Sequence, residues 1–443
     1  MKKYLSLFMI FCSSFILINI TSCRKSDKPQ NAFPEPNPAC CYFSNDYSLP
    51  HTQSEQQLAE YIASEHFEHD LDGWFFFGSL IDSNNPTDTC VFFIEVQRQD
   101  QSSNGYVIPV IPAAMGFNSK TLGHYEVRGF LTIDTDPFMT VIPSPWVVTL
   151  NTPFQEKPLI KMSLLSGTMG AKGAVYKIEA DIPSDIYNEK RMVVDLQLSD
   201  PYGTINEGDG TASFFPQYLT VEQRDAIMSS SPRTISHYLE SQGDPMNCQG
   251  SYYYSFPMLN VDQFSISIDD SINIIGDQGL MWMDYVVESY DQKAMDVYDG
   301  GSWGFYAIQF PEINTALMVL QVESKTGTLS IAKMYNDNSE FTANGARKAD
   351  YTWAIDAINV EPIPGSVWTS PQSGRQYPMQ LHIQLSSAEL PADLYLTMII
   401  ENQEIMINED NIQYEGLTKV EGTIGGTPVV GQAFVEIKAV GGF

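Results

Sequence analysis

Short runs of alternating apolar and polar residues recur along almost the whole chain. They are rich in β-branched and aromatic side chains, and Gly, Pro, Asn and Asp cut them apart. Trp74–Leu80, Val91–Arg98, Tyr125–Ile133, Val193–Leu198, Phe264–Ile268, Trp303–Phe310, Leu317–Glu323, Met379–Leu385 and Phe434–Val440 all have this form. A two-residue period sends successive side chains to opposite faces of a sheet, so each run predicts a strand. So many short strands in series argue for a sandwich or barrel and against an α/β fold. Thr423-Ile-Gly-Gly-Thr427 sets two glycines between β-formers, which predicts a tight hairpin. Helix signals are few. Ser54–His66 opens on a capping serine, and in Thr220–Glu240 the threonine stands where a cap would.

The 443 residues exceed one ordinary domain. Gly243-Asp-Pro245 and Cys248-Gln-Gly250 mark the best break, giving an N-terminal domain over 39–250 and a C-terminal one over 251–443. The start of the chain reads differently. Lys2 and Lys3 precede an apolar run from Tyr4 to Ile20, and Thr21-Ser22-Cys23 follows. That is the layout of a lipoprotein signal over 1–22, with Cys23 the lipidation point. The run, about 17 residues with polar breaks, is marginal for a full transmembrane span. Residues 23–38 are polar and proline-rich, a spacer between lipid and domain. Arg24 follows the cysteine in place of the Asp that retains some lipoproteins at the inner membrane. The expected location is therefore the cell envelope, at the outer membrane, with the facing side open.

The formal charge of −30 argues against nucleic acid as a partner. Cys40, Cys41, Cys90 and Cys248 remain after the signal and the anchor. Export permits one or two disulfides, and one of Cys40 and Cys41 pairing with Cys90 or Cys248 is the expectation. Their spacing gives no zinc site. His66, His69, Asp70 and Asp72 read as a polar turn in preference to a metal site, and Asn206-Glu-Gly-Asp-Gly210 as a turn short of calcium ligands. No cofactor is expected. Nucleophile-elbow, zinc-protease and phosphate-loop motifs are absent from the sequence.

The C-terminal half carries an ordered series of aromatic-rich signatures. They are Ser251-Tyr-Tyr-Tyr-Ser255, Gly279-Leu-Met-Trp-Met-Asp284, Trp303-Gly-Phe-Tyr-Ala-Ile-Gln309 and Ala316-Leu-Met318. Then come Trp368-Thr-Ser370, Gly374-Arg-Gln-Tyr-Pro378, Gln403-Glu404, Tyr414-Glu-Gly416, Val420-Glu-Gly422 and Gly431-Gln-Ala-Phe-Val-Glu436. Earlier, Trp74-Phe-Phe-Phe-Gly78-Ser-Leu80 matches a W-x-x-x-G-x-L strand. In this order the chain resembles the AttH-like family, relatives of the carotenoid 1,2-hydratases (hydroxyneurosporene synthases). The resemblance implies two tandem lipocalin-like antiparallel β-barrels with a few short helices, and an apolar ligand site near their junction.

The hydratase branch carries an Asp-His-x-Trp motif and a Tyr-x-Asp on a later strand. Here Asp284 keeps the first Asp, Tyr285 replaces the His, Val287 replaces the Trp, and Gln321 stands at the second Asp. A glutamine cannot act as a proton donor of carboxylic type. The resemblance therefore favours an anchored protein that binds or carries an apolar small molecule without hydratase chemistry. Tyr252, Tyr254, Trp282, Trp303, Phe305, Tyr306 and Gln321 are its candidate ligand-lining residues. Plain barrel core is the alternative for each aromatic among them. A second reading is a hydratase- or cyclase-like enzyme using Asp284 and Tyr285. A third is a surface interaction lipoprotein.

Overall fold

The computed structural model describes residues 24–25, 55–65, 71–103, 106–111, 113–127, 132–133, 139–152, 155–184, 190–207, 251–288, 303–324, 327–338, 347–406 and 412–438. Cys23, residues 26–38 of the spacer, Thr220–Glu240, His66, His69 and Asp70 lie outside them, while Arg24 and Lys25 pair with Val107 and Tyr106. Two large antiparallel sheets dominate, of sixteen and ten strands. The helix expected from Ser54 forms over Glu55–Ala63. Its Leu58, Ala59, Tyr61 and Ile62 are buried against the first sheet.

The spine of the first sheet runs Tyr106–Ile111, Thr89–Ser103, Leu71–Ile81, Gln278–Glu288, Ser251–Ile268, Met192–Ser199, Val175–Ile182, Ile160–Ser166, Trp146–Leu150 and Met139–Pro143. The second runs Gly327–Asn336, Thr315–Ser324, Trp303–Phe310, Thr427–Lys438, Ile412–Ile424, Ala392–Met398, Gln380–Leu385 and Ile358–Pro362. The predicted hairpin is present. Ile424 pairs with Thr427 across Gly425 and Gly426, both at positive φ, where glycine fits without a Cβ clash.

One boundary shifts. Residues 251–288, assigned from the sequence to the second domain, belong to the first sheet. Gln278–Glu288 pairs with Leu71–Ile81 along its whole length, and Ser251–Ile268 pairs with Met192–Ser199. Divided by sheet, the chain changes units between Glu288 and Trp303. Turn residues such as Gly243 and Pro245 mark a connection, but they do not say which distant strand the next segment joins. Cys90 is buried and unbonded, while Cys40, Cys41 and Cys248 lie outside the described residues.

Three apolar clusters follow from strand alternation. One fills the curl of the first sheet around Trp74, Trp146, Tyr176 and Tyr285. Another fills the second around Tyr306, Trp353, Tyr377 and Tyr414. The third lies between the sheets and takes Phe77, Phe93 and Trp282 from one and Phe305, Leu417 and Phe434 from the other. Phe77 stacks on Phe434 there, with ring centroids 4.1 Å apart. Gly116 lets the second sheet approach: a Cβ on it would stand 2.4 Å from Ile405 Cδ1. A polar seam fixes the register of the two sheets. Gln309 donates to the Pro257 and Met281 carbonyls, and Gln432 to the Leu280 carbonyl and to Gln309 Oε1.

Arg347 is a second clamp. Its buried guanidinium donates to the carbonyls of Tyr202, Asn336 and Asp337 and lies over the Tyr202 ring. Its own N–H donates to the Thr204 carbonyl, holding the segment that ends at Glu207. Arg347→Met would leave three acceptors without these donors, at about 1–3 kcal/mol for each one left unsatisfied. We expect a loss of roughly 3 kcal/mol or more in urea unfolding. Arg347→Lys should restore little of it, since an ammonium lacks the planar fork.

Candidate functional site

Alternation along Gln278–Glu288 decides what Asp284 faces. Met281, Met283, Tyr285 and Val287 point into the first core, and Trp282 points to the junction of the sheets. Asp284 shares the Trp282 face and is buried. Ser255 lies directly opposite it in register. The Ser255 hydroxyl and the Trp282 indole N–H both reach Asp284 Oδ1, each at 2.5 Å, and the Tyr253 hydroxyl donates to Oδ2 at 2.8 Å. On its other side Ser255 Oγ stands 2.7 Å from Glu207 Oε1. Glu207 is fully buried and comes from the far end of the Arg347-clamped segment.

This geometry requires a proton. A serine hydroxyl has one hydrogen and cannot donate to two carboxylates at once. One of the two acids must therefore be protonated and donate to Ser255 Oγ. Asp284 already accepts from Trp282 and Tyr253, which favours its ionised form, so the proton belongs on Glu207. The electrostatics agree. Burial, and then the charge of Asp284, hold Glu207 well above the usual carboxylate range. Burial pushes Asp284 up to about 7, with Ser255, Trp282 and Tyr253 pulling it down. A hydroxyl-bridged pair of acids, both raised by burial, can give and take a proton.

More carboxyls share the face. Glu95 comes from Thr89–Ser103, and burial raises it to about 8. Glu415 and Glu436 face each other across the second sheet's long hairpin, both raised chiefly by burial. Trp303 donates its indole N–H to Glu436 at 2.9 Å, and the Lys438 ammonium sits 4.6 Å above the Trp303 ring. Trp303, Glu436 and Lys438 are partly exposed, so this end of the junction reaches solvent.

Of the residues expected from the sequence, Asp284, Trp282, Trp303 and Phe305 meet at the junction. Tyr285 and Tyr254 are in the first core, and Tyr306 is in the second. Gln321 alternates with Leu320 and so faces the second sheet's own core, where its amide lies 3.5 Å from Ser330 Oγ. The pairing of Tyr285 with Asp284 is thereby corrected: neighbours on a strand point to opposite faces. The side chain of Tyr252 lies outside the described residues. Sequence reading missed Glu207, Glu95, Glu415 and Glu436. Glu207 sits inside the stretch read as a turn. Glu415 and Glu436 stand within quoted signatures, and their inward parity was the signal available.

The AttH-like family profile matches residues 219–440, half of the chain. The chain belongs to the AttH-like family. Among solved structures, an AttH from Nitrosomonas europaea has 16% identity and a TM-score of 0.57, covering 90% of this chain and 98% of that one. Kievitone hydratase from Nectria haematococca has 14% identity and a TM-score of 0.53, covering 94% and 98%. At these identities the likeness establishes the AttH-like tandem lipocalin-like fold. A comparison with curated protein sequences returns no match.

Proposed function

We propose that this AttH-like protein is an acid–base catalyst that adds water to, or removes it from, an apolar unsaturated small molecule at the sheet junction. The observation that carries this reading is the Ser255 hydroxyl bridging two buried carboxyls, Glu207 and Asp284. Glu207 gives its proton to Ser255 Oγ as Ser255 passes its own hydrogen to the Asp284 carboxylate. Asp284, now protonated, transfers that proton to an alkene carbon, breaking its O–H bond as the new C–H bond forms. Water adds to the resulting cation and loses a proton to the Glu207 carboxylate, which restores the pair. The aromatic faces of Phe77, Trp282, Phe305 and Phe434 supply the apolar walls. Kievitone hydratase, with the same fold, bears a hydratase name.

From the sequence, Tyr285, Val287 and Gln321 in place of the relatives' His, Trp and second acid weighed against catalysis. Gln321 faces away from Asp284, and Glu207 supplies a second carboxyl from another strand. Lipidation of Cys23 would hold this chemistry at the outer membrane, beside the phase in which such substrates dissolve.

The test is incubation of the full-length chain with apolar extracts, polyenes and prenylated phenols in D2O, read by mass spectrometry. A product should appear that has gained one D2O, with deuterium fixed on carbon. A ligand that is bound and returned without deuterium would identify a carrier and remove the catalytic reading.

A further inference from the structure

The relay between Glu207 and Asp284 leaves three junction carboxyls without a task. Glu95 and Glu415 are buried. Glu436 lies opposite Glu415 in register, and like charges placed so are unfavourable. The first sheet's Glu95 lies close enough to feel the charge of Glu436, and Glu415 feels that of Glu95. Their hydrogen bonding is thin. Glu415 accepts from the Gln413 amide, and Glu436 from Trp303. Neither oxygen of Glu95 has a hydrogen-bond partner, although Gln97 lies near enough to draw its pKa down. A buried acceptor without a donor costs about 1–3 kcal/mol, so stability gives no reason for this carboxyl.

The missing element is a donor of positive charge. On the junction face the relay acids and these three carboxyls stand against Lys333 and Lys438, with Arg375 close enough for Lys438 to feel its charge. Among the described residues, no three acids are grouped tightly enough to hold a metal ion. The partly exposed mouth already seats one ammonium, that of Lys438, over the Trp303 ring.

We propose that the junction binds a ligand with a protonated amine on an apolar body, its ammonium facing Glu95, Glu415 and Glu436. This rests on reading the junction as the ligand site and adds the charge of the ligand to it. Such a cation favours the ionised carboxyls, so binding releases protons and tightens as the pH rises toward 8.5.

Octylammonium and octanol, of equal chain length, are the probes. Their binding to the purified full-length chain is read by tryptophan fluorescence and by calorimetry in two buffers of different ionisation enthalpy. At pH 8 octylammonium should bind at least about tenfold more tightly, a difference of about 1.4 kcal/mol, and release protons. Glu95→Gln and Glu415→Gln should each erase most of that preference. Ser255→Ala, which weakens the relay, should keep it while slowing deuterium incorporation. Equal affinity for the two probes overturns the cationic ligand and leaves the acid–base reading standing. A preference untouched in both Gln variants reflects only the acidic surface and also overturns it, as does failure of octylammonium to bind.

Discussion

Asp284→Asn should cost about 10²–10⁴-fold in turnover while leaving the fold intact, because positioned acid–base groups contribute that much. Asparagine keeps the size of the side chain and still offers an acceptor to Trp282 or Ser255. It can neither hold nor return a proton. Asparagine also removes a buried charge that Asp284 carries once the pH passes about 7. Stability at pH 8 should therefore be unchanged or raised, which separates a chemical loss from a structural one. Glu207→Gln should give a loss of similar size, since it empties the proton store. Ser255→Ala should give a smaller one, because water can replace a hydroxyl in a relay. The pH–rate profile of the wild type should fall on both sides of neutrality, its limbs belonging to the coupled pair and not to either acid alone. Deuterium incorporation undiminished in Asp284→Asn would sink the mechanism.

The fold was largely legible because strand parity is local. Trp303–Phe310 has the observed bounds, Val193–Leu198 lies within Met192–Ser199, and Gly425-Gly426 turns the long hairpin. The site was only half legible. Parity alone separates Asp284 from Tyr285, and Phe305 from Tyr306. It does not reveal which face of a sheet meets a second sheet, because both faces here are apolar. The pairing of Gln278–Glu288 with Leu71–Ile81 spans about two hundred residues, and no local signal encodes it. Glu207 was hidden for another reason. Beside Asn206, Gly208 and Gly210 it looks like turn filler, and the pairing of Ile205 and Asn206 with Ser255 and Tyr254, together with the Arg347 clamp on Thr204 and Tyr202, carries it inward. Gln309 and Gln432 sit within the quoted signatures yet act as the seam between the sheets, so part of the family pattern records docking and not chemistry.

The same buried carboxyls should make this protein more stable in mild acid than in mild base. For an acid whose pKa is raised by folding, the folded state binds more protons, so stability falls as the pH climbs from the unfolded to the folded pKa. Burial takes Asp200 to about 6, Asp284 to about 7 and Glu95 to about 8, and it raises Glu207, Glu415 and Glu436 as well. At about 1.4 kcal/mol per unit, each of the larger shifts becomes a penalty of a few kcal/mol, absent near pH 4 and growing as the pH climbs toward the folded pKa. His124 opposes this. Burial lowers its pKa, so its folded form resists protonation and loses stability as the pH drops below the ordinary histidine range. Asp88 is held below its ordinary value by Ser119 and Thr121 against the effect of burial, and it counts only in stronger acid. One histidine against several carboxyls leaves the net sign with the acids. Thermal melts should give a Tm roughly 5–10 °C higher at pH 5.5 than at pH 8.5. Glu95→Gln should raise the Tm at pH 8.5 and barely change it at pH 5.5, since glutamine resembles the protonated acid. A wild-type Tm that peaks at pH 8.5, or an equal rise in the variant at both pH values, would mean that the junction does not hold these carboxyls protonated.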